Sequence, residues 1–116
     1  MFIAMNRFKV RKERTHDFEQ LWLTRESYLH EMPGFMSFHL LKGPQQEAYQ
    51  LYASHTVWRT HADFEAWTKS GAFRKSHARA GNATDQPLTL DHPEFEGFHV
   101  IQEVTADGHS RSVAAE

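Results

Sequence analysis

The first ten residues alternate. Phe2, Ala4, Asn6, Phe8 and Val10 share one face, Arg7, Lys9 and Arg11 lie on the other, and Ile3 and Met5 sit opposite Phe2 and Phe8. A period of two predicts a strand over Met1–Val10. The period then lengthens: Phe18, Leu21, Trp22, Tyr28 and Leu29 follow helical spacing from a start at Thr15 or Asp17. Met32-Pro33-Gly34 ends that helix, because proline disfavours helical geometry before it and glycine permits a reversal. Phe35 to Lys42 reads as a second strand, Gly43-Pro44-Gln45-Gln46 as a turn, and Ala48 to Trp58 as a third strand rich in Tyr, Val, Thr and Trp.

Thr60 opens a second helix with Asp63 three residues on, close to a capping box, and Phe64 and Trp67 give that helix an apolar side. Ser70-Gly71 interrupts it, and a further helical segment is predicted from Ala72 to about Ala80, with Phe73 and His77 one turn apart. Gly81 to Glu94 is a polar loop carrying Pro87 and Pro93, of a length that suits a lid or binding loop. Phe98 to Val104 is the expected last strand. The order β-α-β-β-α-β predicts an α+β, ferredoxin-like fold with a four-stranded antiparallel sheet, one domain over residues 1–104 and a flexible tail over 105–116.

The third strand presents Tyr49, Leu51, Ala53 and Val57 on one face and Tyr52 and Trp58 on the other. Helices cover one face of such a sheet, and the opposite face is too apolar to stand in water. The expected cover is a second subunit packed sheet to sheet, making a homodimer.

Charge and composition narrow the function. Thirteen basic against fifteen acidic residues give a net charge of −2 with no basic block, which argues against nucleic-acid binding. No apolar run is long enough for a membrane span, and the N-terminus shows no export signal, so a cytoplasmic protein is expected. With no cysteine, thiol nucleophiles, zinc–thiolate sites and iron–sulfur clusters drop out. Neither glycine-rich phosphate-loop pattern occurs, so nucleotide cofactors have no support.

Three residues stand out. Asn6 interrupts an apolar strand face, where an unpartnered amide costs about 1–3 kcal/mol; it is either bonded to backbone or directed at a ligand. His77 follows Phe73 at a helix end, where most histidines are half-buried surface residues, although neutral imidazole is also the usual protein ligand of haem iron. Trp67 has core spacing, yet a bend at Ser70-Gly71 would let it share a cavity with His77. The other eight histidines, at positions 16, 30, 39, 55, 61, 92, 99 and 109, show no tight ligand spacing, although His39 and His99 could meet across the sheet.

These positions coincide with a family pattern. Ala4-Met5-Asn6-Arg7-Phe8, Pro33-Gly34-Phe35, Thr56-Val57-Trp58 and the run from Phe64 through Trp67-Thr68-Lys69-Ser70 and Phe73 to His77 resemble the IsdG-type haem-degrading monooxygenases of the antibiotic-biosynthesis-monooxygenase (ABM) superfamily, over about Met1 to Val104. The resemblance implies a dimer whose two sheets pack into a barrel. It implies His77 as the axial ligand of haem iron, Asn6 on the distal side hydrogen-bonding iron-bound oxygen, and Trp67 distorting the porphyrin. Trp22, Arg25 and Phe73 would lie against the haem, Arg25 with a propionate. Haem would be both cofactor and substrate, opened by O2 and an external electron donor, with an electron-donating reductase as partner, to release iron and a linear tetrapyrrole. The alternatives are a cofactor-free ABM-type monooxygenase acting on a polyaromatic metabolite, a non-catalytic haem-binding dimer, and a dimeric domain that binds no haem, with Asn6, Trp67 and His77 all structural.

Overall fold

The computed structural model describes residues 1–25, 27–71, 73 and 87–113. Strand β1 (Phe2–Val10) leads through a single 3-10 turn into helix α1 (Thr15–Thr24), followed by β2 (Phe35–Gln45), β3 (Gln50–Trp58), α2 (His61–Thr68), β4 (Glu94–His99) and a short hairpin, β5 (Gln102–Val104) and β6 (Ser110–Ser112). The main sheet is antiparallel with the order β2-β3-β1-β4, so β1 and β3 are central and β2 and β4 form the edges. Two helices on one face of this sheet make the ferredoxin-like α+β fold.

The β1 alternation decides what lies beneath the helices. Phe2, Ala4, Phe8 and Val10 are buried there and pair in register with Trp58, Thr56, Tyr52 and Gln50 of β3. The core falls into two clusters, one of Phe2, Ala4, Leu29, Trp58 and Trp67, the other of Phe8, Val10, Phe18 and Tyr52. Asn6 sits between them on the strand. A single polar residue in an apolar face thus splits the core, and the gap it leaves is the site described below.

Helix α2 begins as expected: the Thr60 hydroxyl accepts the Asp63 amide at 3.0 Å. Asp63 also explains Gly34, whose φ is +82° and where a Cβ would stand 2.1 Å from the Asp63 carboxylate. The break at Ser70 is equally concrete. Its hydroxyl donates to the Trp67 carbonyl at 2.7 Å and accepts the Phe73 amide at 3.0 Å, closing one helix and opening the next turn. His77, most of the expected segment 72–80 and loop residues 81–86 lie outside the described residues.

Four expectations are corrected. First, α1 stops at Thr24 instead of reaching Leu29. The Thr24 hydroxyl bonds back to the Gln20 carbonyl at 2.7 Å, Arg25 turns extended, and Tyr28 adopts φ +59°, so Leu29 enters the core from a separate turn. Second, the last strand of the sheet is Glu94–His99, not Phe98–Val104. Its charged and glycine positions hid an edge strand that begins right after Pro93, where proline costs no ladder bond. Residues 87–93 are not a free loop either: Thr89 bridges to Val10, and Leu88 and Leu90 exchange backbone hydrogen bonds with Arg11 and Lys9. Third, the stretch after Val104 is no frayed tail as far as Val113, because β5 and β6 pair around a turn in which Gly108 has φ +90°. Fourth, His39 faces His55 on β3 with ring centres 6.1 Å apart, whereas His99 is on the opposite face against Phe2 and His61.

Candidate functional site

A cavity of about 490 Å³ opens between the sheet and the helices where Asn6 divides the core. That size falls within the range of small-molecule pockets, roughly 300–1,000 Å³. Five of the six residues singled out from the sequence, Asn6, Trp22, Arg25, Trp67 and Phe73, line it together. The sixth, His77, lies outside the described residues.

Each element supplies its part for a local reason. Strand β1 carries Asn6, whose register neighbours are Ser54 on β3 and Phe95 on β4. Among the described residues no hydrogen bond engages its side-chain amide, which is left to face the cavity. The last turn of α1 carries Trp22, stacked on Phe38 of β2 with ring centres 5.9 Å apart and planes within 11°. Because the chain leaves the helix at Arg25, that guanidinium folds back over the indole, 4.3 Å from the ring centre of Trp22. Its Nε is buried without a hydrogen-bond partner among the described residues, and burial pulls its pKa below the ordinary arginine value.

Helix α2 supplies Trp67 and Phe64. Trp67 is 7% exposed, stacked against Trp58 at 6.3 Å and met edge-on by Phe73 at 5.4 Å. Phe64 lies flat on Phe95, ring centres 5.6 Å apart and planes 7° apart. The site is therefore a slot with aromatic walls, an amide at the sheet and, at the end of α1, a half-buried guanidinium whose Nε has no hydrogen-bond partner among the described residues. Such a slot suits a flat aromatic molecule bearing an anionic group. Among the described residues no three His, Asp or Glu side chains gather into a metal cage.

Sequence reasoning missed Phe38, Ser54, Thr56 and Phe95, which also line the cavity. The alternation of β2 and β3 could have placed the first three beneath the helices. Phe95 was hidden because it falls between the expected loop, which ends at Glu94, and the expected strand, which begins at Phe98.

Residues 1–79 match the family described as antibiotic biosynthesis monooxygenase. The chain belongs to the ABM family. A relative named "Heme-degrading monooxygenase" from Bacillus thuringiensis is 30% identical over 88 residues, covering 76% of this chain and 81% of its own. Among solved structures, the ABM fold found here superposes on the heme-degrader MhuD of Mycobacterium tuberculosis, determined with two hemes in its active site, with a TM-score of 0.68 and 22% identity over 90% of this chain and 100% of that one. It also superposes on a mutant of SnoaB, a cofactor-independent oxygenase from Streptomyces nogalater, with a TM-score of 0.63 and 24% identity over 88% and 94% of the two chains. The two structural likenesses establish the ABM fold. The β5–β6 hairpin lies beyond the matched family segment.

Proposed function

We propose that this ABM protein is a haem-degrading monooxygenase that opens the porphyrin ring with O2 and electrons from an external donor, releasing iron and a linear tetrapyrrole. The observation that carries the reading is the convergence of Asn6, Trp22, Arg25, Trp67 and Phe73 on one aromatic slot. The "Heme-degrading monooxygenase" relatives point the same way.

The residues fit the group. The paired rings of Trp22 with Phe38 and of Phe64 with Phe95 offer flat apolar walls to a macrocycle. Arg25, a half-buried cation whose Nε is unbonded among the described residues, suits a propionate better than it suits an uncharged polyaromatic. Haem, when bound, would supply the iron at which O2 is reduced and would itself be the molecule oxidised. By the resemblance, His77 would hold that iron through a ring nitrogen. Asn6 would offer its amide N–H to the ligand, beside the half-exposed Phe95 ring. Trp67 cannot retreat from the slot, because Trp58 supports its ring from behind, so a flat ligand that meets it must yield. The reading also calls for an electron-donating reductase.

A second copy of the chain covers the outer face of the sheet in this account, closing the two sheets into a barrel. That face carries Ile3, Met5, Leu41, Leu51, Ala53, Val57 and Phe98, and Leu41 and Phe98 remain 40% and 46% exposed. Among the described residues no helix is long and apolar enough to cross a membrane, and we place the enzyme in the cytoplasm.

The test is spectroscopic. Titration with haemin should give a saturable Soret band, and reductant in air with catalase present should then bleach it. A band that persists would favour a haem-binding dimer without turnover. The slot also suits the second reading, a cofactor-free oxygenase of polyaromatics, and the likeness to SnoaB favours keeping it. Absence of any Soret change would select that reading.

A further inference from the structure

Edge strand β4 faces the helices through three positions, Phe95, Gly97 and His99. Only one of them lines the cavity. Gly97 is kept small by Phe2, whose ring tip would stand 2.6 Å from a Cβ there, and His99 packs edge-on against Phe2 at 5.3 Å. Phe95 lies beside Asn6 in register, lies flat on Phe64 of α2, and is still 52% exposed. The residue thus has less protein cover than buried Trp67 or half-buried Phe38, which line the same cavity. β4 is also hydrogen-bonded along one side only, so position 95 sits on the cavity's least constrained border.

We propose that Phe95 is a specificity-determining residue: the side chain at position 95 sets how large a flat ligand the slot accepts beside Asn6. This inference rests on the reading of the cavity as a site for a flat aromatic ligand, and it deepens that reading. Among the described residues, the other tryptophan walls are held by further rings. Trp67 is held by Trp58 and Phe73, and Trp22 by Phe8, Phe18 and Phe38. None of them can yield space without disturbing the core. The Phe64–Phe95 pair faces solvent on one side, so a larger ring at 95 takes room from the ligand and a smaller one gives it back. A four-ring macrocycle is more than twice the size of a three-ring polyaromatic, so a change of volume at position 95 affects the two unequally.

The experiment is a pair of difference-absorbance titrations, with haemin and with alizarin as a three-ring probe, on the full chain carrying Phe95→Trp or Phe95→Ala. Unchanged melting temperatures verify that both variants fold. F95W should weaken haemin binding about fivefold or more and leave alizarin binding equal or tighter. F95A should weaken alizarin about two- to tenfold, the worth of a lost aromatic contact, and haemin by less. Equal shifts for both ligands, or none for either, would overturn the proposal while leaving the haem reading intact. Wild-type protein that binds alizarin but not haemin would overturn the haem reading; the F95A loss on alizarin then decides position 95 alone. Wild-type protein that binds neither overturns both.

Discussion

The guanidinium of Arg25 rests 4.3 Å from the centre of the Trp22 ring, with its Nε buried and unbonded among the described residues. A half-buried guanidinium with an unsatisfied Nε is costly, and it is kept here in the wall of an aromatic slot. Replacement by Met, which preserves the apolar stem, should therefore hold or raise the melting temperature. The same R25M change should weaken binding of a carboxylated porphyrin about tenfold or more, the worth of a charge-assisted hydrogen bond. The dimethyl ester of haem should lose little. Equal losses for acid and ester would remove Arg25 from anion recognition.

Asn6 offers a similar separation of stability from function. Its amide is unbonded among the described residues, so Asn6→Ala removes no internal hydrogen bond, and the change in unfolding free energy should stay within about 1 kcal/mol. Haem turnover should nevertheless slow at least tenfold while the Soret band still forms. Chemical denaturation and single-turnover absorbance check the two halves.

Trp67 combines core and site. Trp67→Ala should cost about 3–5 kcal/mol, because a buried indole stacked on Trp58 leaves a void. Trp67→Phe should cost less than about 1.5 kcal/mol and keep ligand binding, yet change the rate or product of ring opening. An unchanged product profile at unchanged rate would make Trp67 core alone.

Helix α1, which carries Trp22, is held down by a polar link as well as by packing. Tyr52 donates its hydroxyl to Glu19, and Lys42 lies 3.3 Å from the same carboxylate. The Tyr52 bond, followed by Lys42, lowers the Glu19 pKa, while burial and then Glu19 raise that of Tyr52. The depressed carboxylate stabilises the fold above its unfolded pKa, and this contribution is lost as pH falls through the folded value. The phenol works in the opposite sense: its contribution is present below about pH 10 and lost as pH rises further. Glu19→Gln should flatten the acid limb of a melting-temperature profile below about pH 5. A profile that parallels wild type would dismiss the link.

Gly34 is the backbone counterpart. Gly34→Ala meets both a positive φ and the Asp63 carboxylate, so the urea midpoint should fall by the equivalent of more than 1 kcal/mol.

Much of this arrangement could be read from residue order. Period-two alternation located β1, the Pro33-Gly34 stop and β-rich composition located β2 and β3, and Thr60 with Asp63 located the start of α2, because each signal is local. Asn6 and Trp67 were recognisable as anomalies of type in a periodic face. Their meeting with Arg25 was less accessible, since it depends on where α1 ends, and a threonine back-bond with a left-handed Tyr28 decides that. Strand β4 escaped notice for another reason: an edge strand needs little apolar content, and Glu94-Phe95-Glu96-Gly97 looks like loop until Phe2 is seen filling the place above Gly97. The C-terminal hairpin, with Ile101 and Val104 70% and 64% exposed, carries no buried face that periodicity could reveal.

The most direct test of the whole account is a haemin titration of the wild-type chain beside His77→Ala, followed by reductant in air with catalase. The account predicts a saturable Soret band that bleaches with release of iron in wild type, and loss of the ligated spectrum in H77A. A wild-type protein that leaves the haemin spectrum unchanged would contradict it.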